Sequence, residues 1–138
     1  MERVLGIDVG EKRIGVAVSD EMKLFAAPLE FIPATPPAGV MERLRQLIQE
    51  KDVELIVLGL PRNMDGSYGP AAEKVRAFAD HLRAEVTVPL VLWDERLSSV
   101  QAQRMLREAG HKARRQKGKV DASAAAILLQ SYLDSIQS

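Results

Sequence analysis

The chain contains no cysteine, which excludes disulfides and thiolate metal sites and fits a cytoplasmic protein. Histidine is almost as scarce. His81 and His111 stand alone and apart, so a histidine-built zinc centre has no ligand set. Any metal held by such a chain is held by oxygen, which points to magnesium or manganese. No long uncharged apolar run occurs, so neither a membrane span nor a secretory leader is expected. Net charge is also missing, because 19 basic and 19 acidic residues cancel.

That cancellation hides a strong asymmetry. Between His111 and Lys119 stand Lys112, Arg114, Arg115, Lys117 and Lys119 with no acid among them. The window carries five positive charges, and the remainder carries the matching excess of negative charge. A concentrated basic segment is a statement about partners, not about the fold.

What is present is 138 residues, 46% hydrophobic and 28% charged. This is ordinary globular composition and enough chain for a single domain over 1–138 with a sizeable core. Val4–Val9 and Ile14–Ser19 read as strands joined by a short polar turn. The first is apolar on both faces, as a strand in the middle of a sheet should be. Ala27–Ile32 makes a third strand before the break at Pro33 to Gly39. A helix follows with Val40, Leu44, Leu47 and Ile48 on one side. Leu55–Leu58 is a buried parallel strand reached by that crossover. The loop from Arg62 to Ser67 is rich in turn formers. A second helix carries Val75, Phe78, Ala79 and Leu82, and Pro89–Trp93 forms a fifth strand. Ser98 and Gln101 form a capping-box pair for a helix over Val100–Ala109. The last helix has the stripe Ala125, Leu128, Leu129, Tyr132, Leu133 and Ile136. The expected fold is α/β, a mixed five-stranded sheet flanked by helices.

Three carboxylates stand where packing alone would not put them. Asp8 interrupts the apolar first strand, between glycines Gly6, Gly10 and Gly15 that let a ligand or another backbone approach. Glu95 follows the carboxyl end of the fifth strand, where α/β sheets place their sites. Asp121 falls on the inward stripe of the last helix, in its first turn. Each has a plainer role open to it. Asp8 could start the turn, Asp121 could complement the helix dipole, and Glu95 could pair with Arg96 or cap a helix, leaving Asp94 as the important acid. Taken together they suggest a cation site, because clustered carboxylates resist ionising without one. Pairs of divalent ions in such sites serve phosphoryl chemistry. The basic segment leads straight into Asp121 and suits backbone phosphates, which lysine and arginine neutralise without reading sequence. It has no interleaved aromatics for base stacking. Lys12 and Arg13 stand ready in the hairpin turn, where a plain turn role is also open.

Four stretches, GIDVGEKRIGVAVSD, VLGLPRNMDGS, WDERLSSVQAQRML and KGKVDASAAAILLQSYL, resemble in that order the YqgF/RuvX family, and the resemblance spans nearly the whole chain. It implies a ribonuclease H-like fold related to Holliday-junction resolvases. Members are described as resolvases or as nucleases that mature the 5′ end of 16S ribosomal RNA. The family's acids fall on Asp8, Glu95 and Asp121, as catalytic residues and as ligands to two magnesium or manganese ions. Ser98 and Ser99 stand where many relatives have threonines, and cap equally well. The implied activity is metal-dependent phosphodiester hydrolysis in the cytoplasm by a monomer or homodimer, with pre-16S rRNA as substrate. A resolvase acting on branched DNA and a non-catalytic RNA-binding protein are the alternatives. An ATPase-like module of the actin and sugar-kinase group fits less well, because those proteins close two domains around a nucleotide.

Overall fold

A computed structural model describes residues 2–63, 65–94 and 120–137, with the helical course alone over 120–123. In chain order the elements are β1 (Arg3–Val9), β2 (Arg13–Ser19), β3 (Ala26–Pro33), α1 (Pro37–Glu50), β4 (Val53–Leu60), α2 (Pro70–Glu85), β5 (Leu90–Asp94) and α3 (Val120–Gln137). The helix expected over Val100–Ala109 lies outside the described residues.

The strands form one sheet in the order β3-β2-β1-β4-β5. β1 is antiparallel to β2, and β2 to β3. β1, β4 and β5 are parallel. β1 is thus central, as its unbroken apolar run requires: Val4, Leu5, Gly6 and Ile7 are all buried. β3 tolerates Pro28 and Pro33 because it has a single neighbour, so the missing N–H groups break no inner ladder.

The period of two along each strand sends side chains to two cores. On one face Leu5, Ile7, Val16, Ile56 and Leu58 meet Val40, Met41, Leu44 and Leu47 of α1 and Val75, Ala79 and Leu82 of α2. On the other, Val4, Ala17 and Val57 meet Ala125, Ala126, Leu129 and Leu133 of α3. The stripe expected on the last helix holds through Leu133 but not at Ile136, which is 49% exposed. There α3 has reached the β2–β3 turn, where Gln137 Nε2 donates to the Lys23 carbonyl and Gln130 Nε2 to that of Leu24. A turn offers polar partners instead of an apolar surface.

α3 lies close to β1 because Gly6 has no side chain. A Cβ there would stand 2.8 Å from Leu129 Cβ and 3.2 Å from the Ala125 carbonyl oxygen. With its carboxyl end at the β2–β3 turn, α3 runs opposite to β1. Its first turn therefore lies toward the carboxyl ends of β1, β4 and β5.

Candidate active site

Asp8 is the penultimate residue of β1. Strand alternation puts it on the same face as Val4 and Gly6, the face that α3 covers. It is half-buried. Across the sheet it pairs with Gly15, which in turn pairs with Phe31. The row Asp8–Gly15–Phe31 thus has no side chain in its middle position, on one flank of the carboxylate.

The helix supplies the other flank. Gly6 meets Ala125, and one strand repeat beyond Gly6 is Asp8. One helical turn before Ala125 is position 121, at 3.6 residues per turn. Because the two elements run in opposite directions, both steps lead toward the same end of the sheet. The sequence stripe and the Gly6 contact agree on the level of the helix at which residue 121 stands.

Glu95 lies outside the described residues, as do Lys112, Arg114, Arg115, Lys117 and Lys119. Asp94, the other acid at the end of β5, is described. It pairs with Leu60, a member of the α1/α2 core, so its side chain belongs to the face opposite Asp8. Its carboxylate accepts a hydrogen bond from Arg62 Nη1 at 3.2 Å. β5 is further fixed against α3 through Trp93, whose Nε1 donates to Ser131 Oγ at 3.2 Å. The Trp93 ring meets that of Tyr132 edge to face, with centroids 5.3 Å apart and planes at 89°.

The hairpin cations separate. Ile14 belongs to the α1/α2 core, so its neighbour Arg13 is on the Asp8 face, exposed, with its guanidinium 5.6 Å from the Phe31 ring centre. Lys12 is exposed, and its carbonyl accepts from the Ala34 N–H. A cavity of about 380 Å³ lined by Val9, Ile14, Met41, Phe78, Lys74 and His81 opens on the α1/α2 side. It is apolar and takes no part in the carboxylate arrangement.

The sequence reading gave the loop between β4 and α2 as turn formers and assigned no role to its Arg62 or to Tyr68. Arg62 directs Nε and Nη2 to the Gly66 carbonyl and Nη1 to Asp94. Its guanidinium lies 4.5 Å from the centre of the Tyr68 ring, and that of Arg76 lies 4.4 Å from the same ring. Gly66 has φ 87, a conformation that favours glycine. Asp65 takes hydrogen bonds from the Ser67 hydroxyl and N–H, which hold its carboxyl below the usual aspartate range, the hydroxyl most strongly. A signal was available. β4 and β5 are parallel neighbours, so residues at their carboxyl ends meet: Asp94 ends β5, and Arg62 lies two residues past the end of β4.

Among the described residues no three His, Cys, Asp or Glu side chains form a metal-sized cluster, and that set includes only Asp8 of the three candidate acids. Nor is any described helix long and apolar enough to cross a membrane.

Comparison with known proteins bears directly on this arrangement. Residues 2–135 match the family described as "RuvX: Holliday junction resolvase". A protein of Halothermothrix orenii named "Putative pre-16S rRNA nuclease" is 46% identical over 132 residues, covering 96% of this chain and 94% of the relative. One of the same name from Geobacillus kaustophilus is 49% identical over 135 residues, covering 96% and 98%. Among solved structures, Thermus thermophilus RuvC in complex with a Holliday junction superposes with a TM-score of 0.63 at 18% identity, covering 100% of this chain and 97% of that one. The yeast mitochondrial resolvase Ydc2 gives 0.57 at 14% identity, covering 96% and 78%. These likenesses establish the ribonuclease H-like, resolvase-type fold. The match over nearly the whole length, and relatives this similar along it, make the chain a member of the RuvX family.

Proposed function

We propose that this chain is a single-domain nuclease that hydrolyses phosphodiester bonds with divalent metal, and that its substrate is the 5′ region of pre-16S rRNA in the cytoplasm. The observation that carries the reading is the placement of Asp8. A half-buried carboxylate lies on the α3 face at the carboxyl end of a central strand, and position 121 is one helical turn before the Gly6 contact. Relatives near half identity named as pre-16S rRNA nucleases support the substrate class.

Proteins of the resolvase and nuclease type generally use divalent metals. The donors here suit them, being hard carboxylate oxygens with no competing thiol or imidazole. Asp8 would hold two ions between Glu95 and Asp121. Asp94 is engaged by Arg62 on the α2 side, and Glu95 is the acid this reading assigns to the site with Asp8. Bound there, magnesium or manganese would supply Lewis-acid activation of water and neutralisation of phosphate charge. The chain's own contribution is position and charge. Asp8 is fixed by a central strand paired on both sides, and Arg13 adds a cation on the same face. Lys112, Arg114, Arg115, Lys117, Lys119 and Lys12 hold flanking phosphates.

A second reading, cleavage of branched DNA, follows from the family's description. It would suit a homodimer making paired cuts, whereas the rRNA reading needs only a monomer. One experiment separates these. Purified protein is given a pre-16S RNA segment, a four-way DNA junction and a single-stranded control, with magnesium or manganese. Preferential RNA cleavage, abolished by chelator and by Asp8→Asn, is expected. Preferential junction cleavage would transfer the site to DNA. Cleavage that survives excess chelator would remove the mechanism, and binding without cleavage would leave an RNA-binding protein.

A further inference from the structure

We infer that the β2–β3 turn and the end of α3 form a docking surface for a second protein, one that sets apolar side chains against Met22, Leu24, Phe25 and Ile136 and carries lysine or arginine around them. The surface lies at the amino end of β1, because β2 runs antiparallel to β1 and Val18 pairs with Leu5. Asp8 is at the other end of that strand. The inference goes beyond the nuclease reading and does not depend on it.

Of the six large hydrophobic side chains exposed among the described residues, four lie at this end. Met22 is 65% exposed, Leu24 41%, Phe25 69% and Ile136 49%. Single exposed apolar side chains need no explanation, whereas a group of them marks a surface made to be covered. The turn that carries them is not slack. Asp20 Oδ1 accepts the N–H groups of Leu24 and Phe25 at 2.9 and 2.8 Å, and the Asp20 N–H donates to the Phe25 carbonyl. Gln130 accepts the Ala26 N–H and donates to the Leu24 carbonyl, and Gln137 donates to that of Lys23. Lys23 has φ 60, a conformation unfavourable for a side chain of its kind, and its ammonium is held by Glu54. The backbone's polar groups are thus spent within the protein. What faces outward is apolar and already ordered, so a partner gains contact at little cost in chain freedom.

Charge identifies the occupant. Among the described residues, the acids around the turn are Asp20 and Glu21 within it, Glu54 and Glu2 beside Lys23, and Asp134, which accepts from Gln130. The cations among them are Arg3 and Lys23, and each is already engaged by an acid, Glu21 and Glu54 respectively. Part of the negative excess that balances the basic segment is therefore gathered here, around an apolar centre. A second copy would bring the same surface to itself in a twofold dimer, acids against acids. Backbone phosphates and anionic lipids meet the same repulsion. A protein surface with cations flanking an apolar anchor satisfies both the centre and the rim.

The probe is a fluorescein-labelled amphipathic helical peptide, leucine along one face and lysine on the other, titrated in magnesium beside a copy with glutamate for every lysine. The lysine peptide should bind, more weakly as salt rises, and the glutamate peptide should not. Amide NMR shifts on binding should fall on residues 20–26 and 130–137. Phe25→Ser and Met22→Ser should each weaken binding roughly tenfold, while Phe25→Leu keeps an apolar contact and should bind nearly as wild type. Glu21→Lys should weaken the lysine peptide and strengthen the glutamate one. All four positions of change are at the surface, so melting curves of the same samples should match wild type. Equal binding of the two peptides, no binding of either, shifts elsewhere, or unchanged affinity in both serine variants would overturn the inference. So would a wild-type dimer in sedimentation that Phe25→Ser splits, which makes a second copy the occupant, or RNA-induced shifts at these amides, which make it nucleic acid. Because peptide binding is read without cleavage, the two proposals fail separately. Wild type that cuts no RNA but binds the lysine peptide here overturns the nuclease reading alone.

Discussion

A methyl group on Gly6 is the smallest change that should disturb both packing and chemistry. It would be driven against Leu129 Cβ and the Ala125 carbonyl, and neither is the far end of a flexible side chain. α3 must then move off the sheet, a form of overpacking that costs about 1–3 kcal/mol. The movement falls one helical turn from residue 121. Gly6→Ala should therefore lower the unfolding free energy read from urea titration by that amount, and also reduce cleavage in fully folded protein. Normal cleavage at reduced stability would mean that the α3 spacing matters for packing alone. Asp20 offers a pH test far from the site. Its carboxylate accepts the N–H groups of Phe25 and Leu24, and these bonds, that from Phe25 first, hold its pKa below the ordinary 3.8. A depressed folded value gives stability that is present above 3.8 and lost as pH falls through the lower folded value. Asp20→Asn keeps an acceptor but cannot titrate, so its stability should fall less than wild type's between pH of about 5 and about 2.5, by urea unfolding.

At the level of elements, the strands and helices were legible because each has the hydrophobic period of its type. β1 reads as central from its double-sided apolar run, and α3 reads as amphipathic from Ala125 to Leu133. What the period cannot give is the end of an element's usefulness, so Ile136 was assigned to a core it does not enter. Contacts between residues far apart in sequence were invisible for a related reason. Nothing local distinguishes Arg62 from any loop arginine until β4 and β5 are known to be parallel neighbours. The Asp8 position was legible, since a carboxylate in a buried strand contradicts its surroundings, but Tyr68 contradicts nothing and gave no signal. Ser131 is another such case, a buried serine that accepts the indole N–H of Trp93. Ser131→Ala leaves that donor without this acceptor, a loss of about 1–3 kcal/mol. Alanine's better helix propensity offsets roughly 0.5 kcal/mol of it. The variant should be less stable by about 0.5–2.5 kcal/mol in urea, with altered emission from Trp93, the chain's single tryptophan.

For the whole molecule, the question is what the proposed site of three carboxylates does to a sheet covered on both faces. Clustered carboxylates raise the free energy of the metal-free fold, so the site should cost stability until cations arrive. The protein and its ligands are then linked: ions that bind only the native state stabilise it by RT ln(1 + [L]/Kd), about 2.7 kcal/mol at a hundredfold excess over Kd. In a domain of this size that is a rise in Tm of roughly 5–15 °C. Asp121→Asn discriminates between the two roles open to an acid in the first turn of α3. If Asp121 only complements the helix dipole, the substitution costs roughly 0.3–1 kcal/mol with or without metal, and cleavage persists. As a ligand it does the reverse. Its removal relieves repulsion, so the metal-free variant should melt no earlier than wild type. Magnesium or manganese should then return little of the wild-type gain in Tm, and cleavage should nearly vanish. Melting curves in chelator and in metal, run beside a cleavage assay, read both halves. A variant that melts earlier in chelator yet cuts at the wild-type rate would make Asp121 a helix-terminus residue and leave Asp8 without its partner on α3.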